Sequence, residues 1–118
     1  MDAVVIGFQA NTDLSAKRYR IVVNSTGNLV GQVATLGAVA TGVLLNKPQA
    51  GEAASVCVLG PSKVFAGGTI VAGGLFASTA SGTAVAVASG NFIVGKALTG
   101  VASGGIFDAV ITCAGYNI

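Results

Sequence analysis

The sequence predicts an all-β fold: a small single-domain β-barrel or sandwich with a two-unit pseudo-repeat and an N-terminal arm. Short apolar runs recur at a spacing of about eight to twelve residues, which is typical of barrels and sandwiches. Eighteen glycines punctuate the chain, mostly between these runs. One arrangement of apolar strand, turn and apolar strand occurs twice along the chain.

The clearest unit runs from Gly42 to Gly60. An apolar run over residues 43–45 leads into a turn at Pro48, because proline lacks an N–H and restricts the residue before it. A β-branched run over residues 56–59 follows the turn. It is predicted to stop at Gly60-Pro61.

The same plan returns near the C-terminus. The two copies share their glycines and their second strand: Gly42 aligns with Gly95, Gly51 with Gly104, and residues 56–58 with residues 109–111. Upstream, residues 22–27 have a weaker echo in residues 77–82. Two copies are too few for a stacked solenoid, so the pattern indicates a pseudo-repeat within one domain.

The other elements follow from the same rules, in chain order. Residues 11–13 are predicted to cap one helical turn over residues 14–17. The turn at residues 24–28 predicts a hairpin. The remaining predicted strands are residues 3–6, 19–23, 29–34, 38–45, 63–66, 69–72, 75–77, 84–88, 92–94 and 106–111.

The composition limits the partners. Hydrophobic residues make up 53% of the chain and charged residues 8%, far below the usual quarter. We therefore expect partners or further copies of the chain to cover much of the surface. The net charge of +2 argues against a nucleic-acid partner. No stretch offers the roughly 20 predominantly apolar residues of a membrane span, and the acidic start at Met1-Asp2 does not resemble a signal peptide, which predicts synthesis in a cytosol.

The residues that usually carry catalysis are scarce. The chain has no histidine, and its acids are scattered: Asp2, Asp13, Glu52 and Asp108. Residues 90–97 imitate a phosphate loop, but Ala97 stands where a serine or threonine must reach magnesium. We therefore predict no enzyme activity, no cofactor and no metal site.

Cys57 and Cys113 each lie in or beside the second strand of a unit. In a cytosolic product we expect both to be reduced, buried and to pack as small hydrophobic residues. The alternative is a disulfide that joins the two halves after cell lysis, which spacing alone cannot decide.

Taken in order, several segments resemble the capsid decoration (cement) proteins of tailed bacteriophages. The matching segments are Asp13-Leu-Ser-Ala-Lys-Arg-Tyr19 with a later Thr26-Gly27 turn, Gly42-Val-Leu-Leu-Asn-Lys-Pro-Gln-Ala-Gly-Glu-Ala-Ala-Ser-Val56, Ala66-Gly-Gly-Thr-Ile-Val-Ala-Gly-Gly74 and Val94-Gly-Lys-Ala-Leu98. Their order and spacing carry the resemblance, which spans about residues 8–113.

The resemblance implies a small β-barrel that sits on the capsid exterior and reinforces the shell. On this basis we expect a virion structural protein, made in the host cytoplasm, whose partners are the major capsid protein and copies of itself. A homotrimer is favoured, with a dimer as the alternative. Residues 1–12 would form an arm and residues 13–118 the decoration domain.

The candidate capsid-binding residues lie in the N-terminal segment: Val4, Val5, Ile6, Phe8, Leu14, Lys17, Arg18, Tyr19 and Arg20. The run over residues 3–6 would add to an exposed sheet edge of a shell protein; alternatively, it pairs within its own barrel or with a neighbouring copy. The basic cluster would contact an acidic strip with Tyr19 as its anchor, or form a solvated turn. Phe8 and Leu14 would serve as apolar anchors, or plug one end of the barrel.

Two rival functions remain open at this point. A phage tail or spike component would use the same sort of β domain. A small cytosolic β-barrel ligand-binding module or enzyme would need a concave pocket with converging polar groups.

Overall fold

The computed structural model describes residues 3–24, 27–33, 35–37 and 39–116. These residues contain no helix, which confirms the all-β prediction. None of them belongs to a helix long and apolar enough to cross a membrane. The nine strands are β1 (Val4–Ala10), β2 (Ile21–Asn24), β3 (Leu29–Gln32), β4 (Gly42–Leu44), β5 (Ala53–Phe65), β6 (Leu75–Ser78), β7 (Ala84–Ala86), β8 (Phe92–Ala97) and β9 (Ile106–Tyr116).

The first five strands close into a ring. Their order is β1-β3-β2-β4-β5, and β1 also pairs with β5. The β1–β3 pair is parallel and is made at Gln9 and Ala10, whereas the other pairs are antiparallel. Because the ring is closed, no strand stands as an edge strand at either end of its strand order. Closure is one way in which small β proteins limit exposed sheet edges.

A second ring contains β5, β9, β8, β6 and β7 in that order. An isolated parallel bridge between Ala66 and Ala84 brings its last strand back to the end of β5. The Gly67 N–H also donates to the Ala84 carbonyl at 2.7 Å. Since β5 has 13 residues, its first half serves the first ring and its second half serves the second.

β5 therefore does not stop at Gly60-Pro61, as the sequence had predicted. Residues 60–65 continue the strand and pair with β9. Gly60 has a φ of 100°, a conformation open to glycine, so the strand changes direction there as it passes between the rings. Proline is tolerated at such strand irregularities.

The strand pairings confirm the pseudo-repeat. Val43 pairs with Cys57, and 53 positions later Lys96 pairs with Val110. The loops repeat as well. The Ser55 N–H donates to Asn46 Oδ1 at 3.0 Å, and their counterparts, the Asp108 N–H and Thr99 Oγ1, make the same bond at 3.1 Å. For the upstream hairpins the shift is 54, since the β2–β3 pair of Val22 and Gln32 matches the β6–β7 pair of Phe76 and Ala86. The predicted echo of residues 22–27 in residues 77–82, a shift of 55, was therefore wrong by one residue.

The repeat also includes β1. Ala54 and Phe107 are counterparts in the repeat, 53 positions apart. Phe8 on β1 lies opposite Ala54, and Val64 on β5 lies opposite Phe107, so β1 corresponds to the second half of β5. Residues 4–10 are thus a strand of the barrel rather than a free arm, and Met1 and Asp2 lie outside the described residues. Of the arrangements predicted for residues 3–6, the structure has the pairing within their own barrel.

Each ring fills its interior from the same seven positions. In the first ring they are Ala10, Leu14, Val22, Val30, Leu44, Ala54 and Val56; in the second they are Ala66, Ile70, Phe76, Ala84, Ala97, Phe107 and Ala109. Large and small residues are exchanged between the two sets, so that total volume is kept. The second cluster also takes in Ile21, Val43 and Cys57 of the first ring, which unites the rings in one domain.

Two local predictions were wrong. Residues 14–17 form a turn rather than a helical turn, because the Leu14 N–H donates across to the Pro48 carbonyl at 2.9 Å and ties the segment to a distant loop. Residues 69–72 form no strand. Ile70 alone makes an isolated bridge, to Val101, because Gly67-Gly68 and Gly73-Gly74 leave too short a run to extend it.

Candidate functional site

The predicted binding residues fall in two places, and the first is the start of β1. Val4, Val5 and Ile6 are 47%, 49% and 45% exposed. Leu59 lies opposite Val4 on β5 and is 51% exposed. We call these four residues the apolar end. Successive residues of a strand point to opposite faces, so both faces of β1 present apolar side chains to solvent here.

The main chain of β1 is also accessible at this point. β5 runs along one edge over residues 4–9, whereas β3 meets the other edge at Gln9 and Ala10. Within the described part of the chain, no strand pairs with that second edge ahead of Gln9. An apolar strand with such an edge is suited to adding to another sheet.

Phe8 and Leu14 do not belong to this surface. Leu14 is 1% exposed and lies among the core residues of the first ring. Phe8 is half-buried and packs against the same cluster. Leu14 therefore fills the barrel, the second of its two predicted roles, and its side chain has no surface left to offer a partner.

The second place is the turn between β1 and β2, where Tyr19 has a φ of 67°. A left-handed backbone costs a non-glycine residue about 1 kcal/mol. Two backbone hydrogen bonds hold the turn in this conformation: the Tyr19 N–H donates to the Leu44 carbonyl at 2.7 Å, and the Phe65 N–H donates to the Tyr19 carbonyl at 2.9 Å. The turn is thereby anchored to β4 and to the end of β5.

A groove of about 370 Å³ lies against this turn, and we call it the basic groove. Its walls are Ser15, Ala16, Arg18, Tyr19, Arg20, Lys47, Phe65 and Ile106. Lys17, the remaining cation of the predicted cluster, is half-buried in the same turn but does not line the groove. The structure thus keeps Arg18, Tyr19 and Arg20 together.

Each arginine of the groove stacks on an aromatic side chain and donates a hydrogen bond to a backbone carbonyl. The Arg18 guanidinium carbon lies 4.6 Å from the centre of the Tyr19 ring, and that of Arg20 lies 5.1 Å from the centre of the Phe65 ring. Arg18 Nε donates to the Leu45 carbonyl and Arg20 Nη1 to the Ser81 carbonyl, both at 3.1 Å. Stacking of this kind orients a guanidinium and leaves its other N–H groups for a further acceptor.

None of the acidic side chains in the described part of the chain lines the basic groove. Asp13 is two residues from Ser15 in the sequence, and its carboxylate accepts the Ser15 N–H at 3.0 Å; this bond lowers the pKa of Asp13. Among the described residues the one ion pair is Lys63–Asp108, which lies two residues along β5 and β9 from Phe65 and Ile106, so that its carboxylate is near the groove but already paired. The groove is therefore a concentration of positive charge without a described carboxylate partner.

A second groove, of about 530 Å³, lies on the C-terminal ring. It is lined by Pro61, Ser62, Lys63, Leu98, Thr99, Asp108 and Ala109. Lys63 Nζ and Asp108 Oδ1 are 3.1 Å apart across its wall, so its two charges neutralise each other. No group of three metal-ligating side chains occurs among the described residues.

Both cysteines are free thiols. Burial raises the pKa of Cys57, which is fully buried. Burial, followed by the neighbouring Cys57, raises the pKa of Cys113 to about 11. Cys113 is only half-buried, so the predicted burial holds fully for Cys57 and in part for Cys113.

The apolar end and the basic groove are separate surfaces. Leu59 belongs to the first and Phe65 to the second, and about 20 Å of strand lies between them at roughly 3.3 Å per residue. Sequence reasoning missed Leu59, Lys47, Phe65 and Ile106. Leu59 belongs to the apolar end, and the other three line the basic groove. The extension of β5 through Pro61, against the usual rule for strand ends, would have signalled that Phe65 and Ile106 pair beside the turn.

No family model matches the chain, and no curated protein matches it. Among solved structures, the chain is similar to the N base of head fiber gp8.5 of bacteriophage phi29, with a TM-score of 0.74 and 20% sequence identity. The match covers 99% of this chain and 100% of that one. At this level of identity the likeness shows a common fold, and it extends over both rings.

Proposed function

We propose that this protein is a structural component of a bacteriophage virion that binds the outside of the capsid and stabilises the shell. The observation that carries the proposal is the match to a head fiber base over 99% of this chain and 100% of that one. The resemblance of its segments to capsid decoration proteins points to the same place in the virion. On this proposal the major capsid protein is the partner and the capsid exterior is the location.

The work of such a protein is binding energy rather than catalysis. It would hold neighbouring shell subunits together against the outward pressure of packaged DNA, without an enzymatic reaction or a cofactor. Copies of the chain would act together, since a closed oligomer repeats one modest contact at several points of the shell.

The apolar end is the surface that we assign to shell contact. Its four side chains are exposed and apolar on both faces of the sheet, beside an open strand edge. Edge pairing supplies main-chain hydrogen bonds, and burial of the side chains supplies affinity. The contact would use β1 as a barrel strand, without release of the N-terminal segment.

Capsids that lack the protein provide the test. Purified protein is added to such particles, and the mixture is pelleted and imaged by electron microscopy. We expect density on the outside of the head and a higher temperature of DNA release than in untreated particles. Density on the tail would favour the tail or spike alternative, and failure to bind either structure would overturn the proposal in favour of a free ligand-binding module.

A further inference from the structure

We propose that the basic groove binds an acidic segment of a partner protein, in which a carboxylate side chain stands next to an apolar one. This inference rests on the function proposed above, which makes that partner a component of the shell. The groove is distinct from the apolar end and adds a second, electrostatic contact about 20 Å away along β5.

The internal repeat provides the first argument. The counterparts of Lys17, Arg18, Tyr19 and Arg20 in the second ring are Val71, Ala72, Gly73 and Gly74. Two backbone bonds of the turn recur: the Tyr19 N–H donates to Leu44 at 2.7 Å where that of Gly73 donates to Ala97 at 2.8 Å, and the Arg20 N–H donates to Lys17 at 3.1 Å where that of Gly74 donates to Val71 at 3.0 Å. The same turn therefore forms without any charged or aromatic side chain, so the fold does not require those of the first ring.

Tyr19 provides the second argument. Gly73 takes a φ of 85° at its position, which a glycine adopts freely, whereas Tyr19 takes a φ of 67° against the steric preference of its Cβ. Non-glycine residues in this conformation cluster at functional sites. The aromatic ring of Tyr19 offsets this strain, because it forms a wall of the groove and supports the Arg18 guanidinium.

The charges provide the third argument. Arg18, Arg20 and Lys47 converge on about 370 Å³ that none of the described acids lines, while the counterpart of Lys47 in the second ring is Gly100. Like charges that line one small groove repel one another, and a carboxylate bound between them relieves that repulsion. Two guanidinium groups already oriented by aromatic rings lose little entropy when they form paired hydrogen bonds to it.

The apolar part of the groove selects protein over nucleic acid. Ile106 is 47% exposed and lies with Phe65 in the same wall, so an aliphatic or aromatic side chain next to the carboxylate would be buried there. A phosphate backbone would instead need a longer basic stripe, and the net charge of the whole chain is only +2.

The test uses defined probes. A blocked peptide of alternating glutamate and leucine is titrated into the full-length protein at low ionic strength, beside a glutamine–leucine peptide and an oligothymidine of matched charge. We expect the glutamate peptide to bind at least about tenfold more tightly than either control and to weaken with added salt. Equal binding of the glutamine peptide, or preference for the oligothymidine, would overturn the inference.

Matched variants locate the site. Tyr19→Gly copies the second ring and keeps the turn, and Lys47→Gln removes one groove cation, whereas Lys96→Gln removes an exposed lysine on β8, outside the groove. We expect the first two to weaken peptide binding by about tenfold and the third to leave it unchanged, with all melting temperatures near the wild type. Unchanged binding in the first two would contradict the inference.

Binding to undecorated capsids separates this inference from the proposed function. If the wild-type protein binds capsids and both groove variants bind equally well, the function stands and the groove has no part in it. If the wild-type protein binds no capsid yet binds the glutamate peptide through the groove, the function fails and the acidic-segment site stands.

Discussion

Two glycines hold equivalent pairs of strands at a separation that a side chain would not allow. A Cβ on Gly42 would collide with the carbonyl oxygen of Cys57, and a Cβ on Gly95 would collide with that of Val110. These collisions involve backbone atoms of a paired strand, which cannot move aside without breaking the hydrogen bonds between the two strands. Gly7, in contrast, has open space around the position of a Cβ.

We therefore expect Gly42→Ala and Gly95→Ala each to lower the free energy of unfolding by about 2–4 kcal/mol. Gly7→Ala is the matched control. It should be neutral or raise stability by roughly 0.5 kcal/mol, because alanine restricts the unfolded chain. Urea unfolding followed by circular dichroism measures all three, and a Gly42→Ala midpoint equal to that of the wild type would show that the close approach is not required.

The raised pKa of Cys113 and the burial of Cys57 predict slow alkylation of both thiols in the folded protein. With a pKa of about 11, roughly a thousandth of Cys113 is thiolate at pH 8, against about a quarter of an ordinary thiol. We expect iodoacetamide to label Cys113 at least about a hundredfold more slowly in the folded protein than in urea, and Cys57 to resist labelling because it is buried. Mass spectrometry of the unfolded, alkylated protein should find two labels; a mass lower by two protons with no label would mean a disulfide.

The same raised pKa gives a pH dependence of stability. The folded protein keeps the Cys113 proton to higher pH than the unfolded chain does, so this contribution is present below an ordinary thiol pKa of about 8.5. It is lost as the pH rises through about 11. Cys113→Ala should flatten the decline of the unfolding midpoint over that window, and an unchanged decline would contradict the assignment.

Among the elements, β1 has the most consequence for function because it serves both the barrel and the proposed shell contact. It lies opposite β5 over residues 4–9 and closes the ring through Gln9 and Ala10. Its partners Ala54 and Val56 are core residues. Removal of the strand would expose one side of that core.

Deletion of residues 1–12 should therefore unfold the first ring rather than merely abolish capsid binding. The expected cost is several kcal/mol, a large part of the roughly 5–15 kcal/mol that stabilises a domain of this size. The readout is the melting transition, with capsid sedimentation alongside. A truncated protein with the wild-type melting temperature would show that the segment is a dispensable arm after all.

Surface substitutions separate binding from folding at the same strand. Val4→Lys combined with Leu59→Lys should abolish sedimentation with undecorated capsids, since two charges would be buried in an apolar contact. Both side chains are exposed in the free protein, so the melting temperature should stay near that of the wild type. Val71→Lys, at an exposed site on the second ring, is the control and should bind normally. Normal binding by the double variant would remove the apolar end from the shell contact.

At the scale of the whole molecule, the chain buries its own core without help. Its accessible surface of 5485 Å² is close to the roughly 5,800 Å² expected for a compact monomer of 11.4 kDa. Contacts with other copies of the chain would therefore use surface groups. Ten large hydrophobic side chains are exposed among the described residues, on a chain in which only 8% of residues are charged.

We expect that surface to produce a closed homo-oligomer, with a trimer favoured over a dimer. In a closed cyclic oligomer every copy buries its apolar contact surface against a neighbour, so no such surface remains open for the addition of further copies. Light scattering at micromolar concentration should give a mass three times the 11.4 kDa of the chain. A clean 11.4 kDa species both in solution and on particles would contradict this expectation.

Glycine spacing and short apolar runs determined the fold class and the repeat. The alignment of Gly42 with Gly95 places residues 56–58 on residues 109–111, and the strand pairings follow that same shift. Such features are local. A turn that requires glycine, or a strand of alternating burial, is encoded by residues close together in the chain.

The tertiary structure decided the place of β1 and the make-up of the basic groove. β1 was predicted to lie outside the repeat because its counterpart is fused into β5, past a Gly60-Pro61 pair that normally ends a strand. The left-handed conformation of Tyr19 depends on hydrogen bonds to Leu44 and Phe65, and the groove also needs Ile106. These contacts join residues that closure of two rings brings together across the chain, so their geometry exists only once β5 has passed from one ring into the other.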